Sequence, residues 1–210
     1  MQLKKEDINN LDRKYRLNLI NSITGIKPAN LIGTRSIAKQ DNVAIFSSVV
    51  HLGSNPAHLG MVMRPQTNGL KDTYSNINET GFYTINHISN TFIKKAHYTS
   101  AKLKKEDSEF DVMKLNREFL DDFFAPFVKQ SAVKIGMKHI ENIELPNQCI
   151  LIIGEVELIS LPEEILNKEG QLNLEKYNAV GISGLNNYYD INHIESHPYV
   201  RINEMPDFNE

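Results

Sequence analysis

Between residues 30 and 88 the apolar positions fall in short runs, NLIGTR, VAIFSSVV, HLGMVMR and FYTINHI, separated by segments rich in Gly, Pro, Asn and Asp. Runs of this length bounded by turn formers predict antiparallel β structure. In VAIFSSVV one face carries Val43, Ile45, Ser47 and Val49, and the other Ala44, Phe46, Ser48 and Val50, because successive side chains of a strand point to opposite sides. Both faces are largely apolar, so the segment is expected to form one strand covered twice. Gly53, Ser54, Asn55 and Pro56 then predict a turn, and Pro65 is expected to end the next strand after Arg64.

From Asp72 the pattern changes. DTYSNINETG predicts a short helix, with Asp72 as its cap, Gly81 as its terminator, and Tyr74 and Ile77 on one buried face. A second short helix is expected from Ser89 or Asn90, carrying Phe92 and Ile93, and the charged stretch AKLKKEDSEF reads as a solvated loop or insertion. Residues 132–145 alternate well enough for one or two strands, and QCILIIGEVELISL is the strongest strand signal of the chain. Pro162 suits the first position of a helix, PEEILNKEG, that Gly170 can end. The last segment, about residues 175–210, reads as irregular and is expected to pack on the main body or on a neighbouring subunit. No repeat, linker or low-complexity tract divides the sequence. Residues 1–210 are therefore expected to form one domain, mainly β with flanking helices.

Charge and composition exclude several classes. The formal net charge is -3, from 23 Lys plus Arg against 26 Asp plus Glu, with no excess of cations to neutralise a phosphate backbone, so no nucleic acid is expected as partner. The N-terminus is charged from its third residue and lacks the apolar core of a signal peptide. The longest apolar run, residues 149–153, is strand-sized and far short of the roughly 18 residues of a membrane span. A soluble, cytoplasmic protein with no membrane contact is expected. The single cysteine, Cys149, reads as a small buried hydrophobe. Seven histidines occur without an HExxH or paired-cysteine spacing, so no metal site is expected. GISG at residues 181–184 reads as a turn rather than a nucleotide fingerprint, and there is no P-loop.

One region does have the ingredients of a ligand site. Flavin mononucleotide (FMN) presents a flat ring edged with acceptors and one donor, a hydroxylated tail and a dianionic phosphate. In VAIFSSVVHLG the strand backbone can read a ring edge while Ser47 and Ser48 donate to ring or ribityl oxygens. Arg64, Lys71 and Thr73 follow, the last two at the start of the predicted helix, and a helix N-terminus beside a cation is a natural phosphate seat. Taken alone, the serines equally suit ordinary strand positions, and Arg64 and Lys71 ordinary surface charges.

The order of these pieces resembles the flavin reductase-like family, the FMN-binding split barrels. The likeness runs through NLIGTR, NVAIFSSVV, GSNP, VMRP, KDTYSNINETGFYTIN and, later, IIGEVELISLPEEILNKEGQLNL. NLIGTR departs from the family's commoner R-P-x-A-L-V opening, which leaves the substrate open. The resemblance implies a Greek-key split β-barrel with flanking helices, a homodimer, and FMN near the subunit interface. Carried over position by position, it implies Asn42, Ser47, Ser48 and Val49 beside the ring and ribityl chain, Lys71 and Thr73 at the phosphate, and Arg64 nearby. Asn86 matches a strand-terminal Asn that is either a ligand contact or a structural hydrogen-bonder. His97 and Ser100, in AHYTSA, match a second segment that approaches the flavin or serves the fold. The activity implied is electron transfer from NAD(P)H through flavin to an acceptor. The alternatives are tightly held FMN reducing a metal complex or protein partner, and an FMN-binding module without turnover. Since the cofactor carries the chemistry, no residue is assigned a catalytic role.

Overall fold

The structure is a computed structural model and describes residues 1–66, 72–104 and 106–207. The chain opens with helices α1 (Lys5–Asn10) and α2 (Arg13–Ser22), then β1 (Lys27–Pro28), β2 (Asn30–Arg35), β3 (Asp41–Phe46), β4 (Val49–Ser54) and β5 (Ala57–Met63). Helix α3 (Asp72–Thr80), β6 (Phe82–His87), α4 (Ile93–Tyr98), α5 (Glu109–Val112), β7 (Arg117–Glu118) and β8 (Phe127–Val128) follow. The long hairpin β9 (Lys134–Glu144) and β10 (Ile150–Ser160) precedes β11 (Val180–Ser183) and β12 (Asn187–Asp190). Seven strands form one antiparallel sheet in the order β3-β2-β6-β9-β10-β5-β4, while β1, β11 and β12 form a small second sheet. The fold is the expected one, mainly β with flanking helices in a Greek-key split barrel.

Strand β2 sits between two cores because its side chains alternate. Leu31 packs with Val43, Ile88, Phe110 and Val128 on one side, and Ile32 with Met61, Ile77, Tyr83 and Ile152 on the other. Gly33 is required at the centre, since a Cβ there would lie within 2.5 Å of both the Pro126 carbonyl oxygen and Thr84 Oγ1. Helix α3 closes the second core with Ile77, fully buried, and Tyr74 beside it, and it ends at Gly81, whose φ of +75° suits glycine.

Five expectations need correction. GISG at residues 181–184 lies mostly in β11 (Val180–Ser183), paired with β1 and β12, rather than in a turn. VAIFSSVV is not one strand: it breaks at Ser47 and Ser48, so that β3 and β4 lie at opposite edges of the sheet. PEEILNKEG forms only a 3-10 turn, Glu163–Ile165, because the Asn167 carboxamide oxygen accepts from the Glu169 and Gln171 N–H groups and holds the chain in a turn. The charged stretch is loop and largely exposed, as expected, among its described residues up to Asp107, but its end folds back, with Ser108, Glu109 and Phe110 buried and Glu109 opening α5. Cys149 is half-buried in the turn before β10 rather than in the core. The C-terminal segment is ordered through β12, and residues 191–201 have no secondary structure. Among the described residues no helix is long and apolar enough to cross a membrane.

Candidate functional site

The break at Ser47 and Ser48 makes a corner. Ser48 Oγ donates to the Val62 carbonyl at 2.8 Å and accepts from the Val62 N–H at 3.2 Å. One hydroxyl thus stands in for the ladder partner of β5 where β4 is about to begin. Val49 pairs with Met61 and packs on the second core. Ser47 is half-buried, and its side chain has no hydrogen-bond partner among the described residues. Asn30 lies opposite Phe46 in the ladder, next to the corner. It is 1% exposed, and neither polar atom of its side chain has a partner. An unsatisfied buried amide is costly, which marks this as a place where a ligand or a water completes the structure.

The other end of β3 meets α3. Asn42 and Phe46, the last residue of β3 before the corner, are separated by four strand steps, roughly 13 Å at the usual rise. Thr73, in the first turn of α3 and 4% exposed, donates its hydroxyl to Asn42 Oδ1 at 3.1 Å, and Asn42 Nδ2 donates to Glu109 Oε2 at 2.8 Å. Of the expected phosphate residues, Lys71 lies outside the described residues, while Arg64 is exposed just beyond β5. The first N–H groups of α3 have no partner within the helix and remain the natural anion donors at this end.

Three further expected site residues have partners within the protein. Asn86 is fully buried: its Nδ2 donates to the Leu31 carbonyl and to Thr84 Oγ1, and its Oδ1 accepts from the Val128 N–H. It fills the structural one of its two expected roles, joining β2, β6 and β8. His97, on α4, shares a 2.9 Å hydrogen bond between Nδ1 and the Tyr188 hydroxyl, with the two rings edge to face. Burial pushes the Tyr188 phenol up to about 12, so it stays neutral at physiological pH. Ser100 is exposed and donates to the His97 carbonyl.

What the sequence reading missed is the support behind β3. Asp41, whose side chain is 8% exposed, takes Arg35 Nε at 2.6 Å and Arg117 Nε at 2.9 Å. Arg117 also forks onto Asp111, which holds that carboxyl below the usual range, and it stacks 4.9 Å from the Phe110 ring. Ser108 Oγ donates to the Asp41 carbonyl. These contacts strap α5 to β3 and deliver Glu109 under Asn42. The available signal was Ser108 ahead of Glu109 and Asp111, a helix start. An open groove of about 510 Å³ lies between α3 and the β9–β10 hairpin, lined by Gln66, Tyr74, Asn142, Glu144 and Ile150. It holds none of the expected residues, and Glu144 disfavours an anion there.

Comparison with known proteins places this geometry. The model of the flavin reductase like domain matches residues 26–180. A flavin reductase candidate with a split barrel domain from Shewanella frigidimarina NCIMB 400 is 40% identical, superimposes with a TM-score of 0.90, and covers 95% of this chain and 100% of its own. Flavoredoxin of Desulfovibrio vulgaris (Miyazaki F) shares the fold at 22% identity and a TM-score of 0.73, over 83% of this chain and 92% of its own. An uncharacterized protein of Aquifex aeolicus (strain VF5) is 28% identical over 177 residues, 82% of this chain and 87% of that protein. Matched over well more than half its length, with its strands in the split-barrel order, the chain belongs to the flavin reductase like domain family.

Proposed function

We propose that this protein binds FMN along β3 and passes electrons from NAD(P)H through it to an acceptor, as a homodimer in the cytoplasm. The observation that carries the reading is a two-ended site on one strand, in a chain of this family. A serine corner anchored to Val62 stands at one end, and the start of α3, linked by Thr73 to Asn42, stands at the other.

The residues present fit the cofactor. Near the corner, Ser47 and the unpartnered Asn30 amide offer the mixed donors and acceptors that a flavin ring edge needs. The apolar side chains of Phe46 and Val49 flank that corner and suit a flat ring. At the far end, the first turn of α3 offers N–H groups, with Lys71 and Arg64 as the sequence neighbours that neutralise a phosphate. The roughly 13 Å of strand between Asn42 and Phe46 suits an elongated ligand better than a compact one.

When bound, FMN would supply the two-electron chemistry between a reduced nicotinamide and an acceptor. The protein positions and polarises. Its neutral Tyr188 fixes His97, the Asp41 cluster fixes β3, and no nucleophile is required. Reduced nicotinamide as the donor is the reason for placing the work in the cytoplasm. The homodimer rests on exposed apolar side chains of the C-terminal segment, Ile194 at 91%, Tyr199 at 90% and Ile202 at 92%, which a neighbouring subunit would cover.

The test is anaerobic mixing of the FMN-loaded protein with NADH and with NADPH. Bleaching of the flavin band by one donor in preference to the other supports the reading. If neither bleaches it over minutes, the oxidoreductase reading fails and an FMN-binding module without turnover replaces it.

A further inference from the structure

Glu109 is a buried carboxylate, 8% exposed, held by amides alone. Its Oε2 takes Asn42 Nδ2 at 2.8 Å and faces the Val43 N–H at 3.5 Å. Among the described residues no Lys or Arg is paired with it. The charged groups around it are Asp72 on α3, Asp41 on β3, which Arg35 and Arg117 already neutralise, and Asp111 on its own helix, which is paired with Arg117. Burial pushes the Glu109 carboxyl above its usual range and Asp72 adds to this, while its backbone and Asn42 hydrogen bonds oppose it.

The polarity of the chain Glu109–Asn42–Thr73 has a consequence for any anion at α3. An ionised carboxylate only accepts, so it fixes the Asn42 NH2 toward Glu109 and the Asn42 carbonyl oxygen toward Thr73. The Thr73 hydroxyl proton is then spent on Asn42. What remains on the Thr73 hydroxyl is lone pairs, and a phosphate dianion also only accepts. A proton on Glu109 reverses the chain: the carboxylic acid donates to Asn42 Oδ1, the turned amide donates to Thr73 Oγ1, and the hydroxyl proton is free for the ligand. Protonation also removes one of the two negative charges, Glu109 and Asp72, that stand near the phosphate end.

We propose that the FMN phosphate is seated through the Glu109–Asn42–Thr73 relay, and that seating it takes up one proton from solvent at Glu109. Glu109 is a positioning residue, acting through Asn42 and Thr73. The proposal rests on the FMN reading above and assigns it a pH dependence: affinity for FMN is lost as pH rises, while affinity for riboflavin, which has no phosphate, is not.

The experiment titrates the full chain with FMN and with riboflavin by flavin fluorescence quenching between about pH 7 and 8.5. That window lies above the second phosphate pKa of about 6 and below the range of lysine, so ligand charge stays constant. The FMN Kd is expected to rise toward about tenfold per pH unit, the limit for one linked proton, with riboflavin flat. Calorimetry in two buffers of different ionisation enthalpy should give uptake of about one proton for FMN and none for riboflavin. Glu109→Gln does not titrate, and its side-chain NH2 can donate to Asn42 Oδ1, which permits the reversed chain at every pH, so the FMN slope should vanish. At the top of the range that variant should then bind FMN more tightly than the wild type, with riboflavin unchanged. FMN binding in the wild type as flat as that of riboflavin, or a slope that survives in Glu109→Gln, overturns the relay and leaves the FMN reading standing. Failure of both flavins to bind the wild type overturns the FMN reading, and the relay with it.

Discussion

Ser48→Ala separates the fold from the site more sharply than any other change at the corner. The substitution deletes one oxygen and two hydrogen bonds, to the carbonyl and the N–H of Val62, at 2.8 and 3.2 Å. Each is worth about 0.5 to 1.5 kcal/mol net, so the loss is about 1 to 3 kcal/mol. Val62 is half-buried, which lets water recover part of it, and about 2 kcal/mol is the central expectation. For a chain of this size that corresponds to a Tm lowered by about 4 to 8 °C. Ser47→Ala is the matched control. With no side-chain hydrogen-bond partner for Ser47 among the described residues, it should stay within about 0.5 kcal/mol of wild type. Thermal unfolding of the three proteins without flavin reads the difference directly. The reasoning is wrong if Ser48→Ala melts within about 1 °C of wild type, or if Ser47→Ala is equally damaging. With flavin present, Ser48→Ala should weaken FMN and riboflavin alike, because it loosens the corner rather than the phosphate end.

At the phosphate end, Lys71→Ala should cost FMN the roughly 1.5 to 3 kcal/mol of a charge-assisted hydrogen bond and leave riboflavin nearly untouched; equal losses in a quenching titration would move the phosphate elsewhere. Burial lowers the His87 imidazole to about 4, so the unfolded chain binds more protons between about pH 6.5 and 4. Stability should therefore fall by about 2 to 3 kcal/mol as pH drops through that window, and His87→Gln should flatten the decline in denaturant titrations. Light scattering should give a dimer for the full chain, with removal of residues 191–210 shifting it toward monomer; a full-length monomer that holds FMN tightly would refute an interface site.

Much of this was legible because local signals agreed with the tertiary outcome. NLIGTR forms β2, as its strand-like pattern predicted, and α3 shows Ile77 inside and Gly81 at its end. The corner was hidden for a physical reason: residues 43–50 are apolar on both faces whether the strand runs on or breaks. Only the long-range bonds from Ser48 to Val62 decide it. The helix expected after Pro162 failed to an Asx-type turn at Asn167, a competition between side chain and backbone that periodicity does not register. Asn86 and Thr73 matched the family pattern, yet their side chains turn inward to Leu31, Thr84 and Asn42. Glu109 was concealed inside a charged stretch, and its importance appears only once α5 is folded against β3.

The most direct measurement for the central claim is the identity of the cofactor. Protein purified and then soaked with micromolar FMN should show flavin absorption bands, and chromatography after denaturation should recover FMN. The first turn of α3 beside Lys71 suits a terminal phosphate rather than a pyrophosphate carrying adenosine. FAD as the sole species released, or no binding at micromolar FMN, would contradict the account.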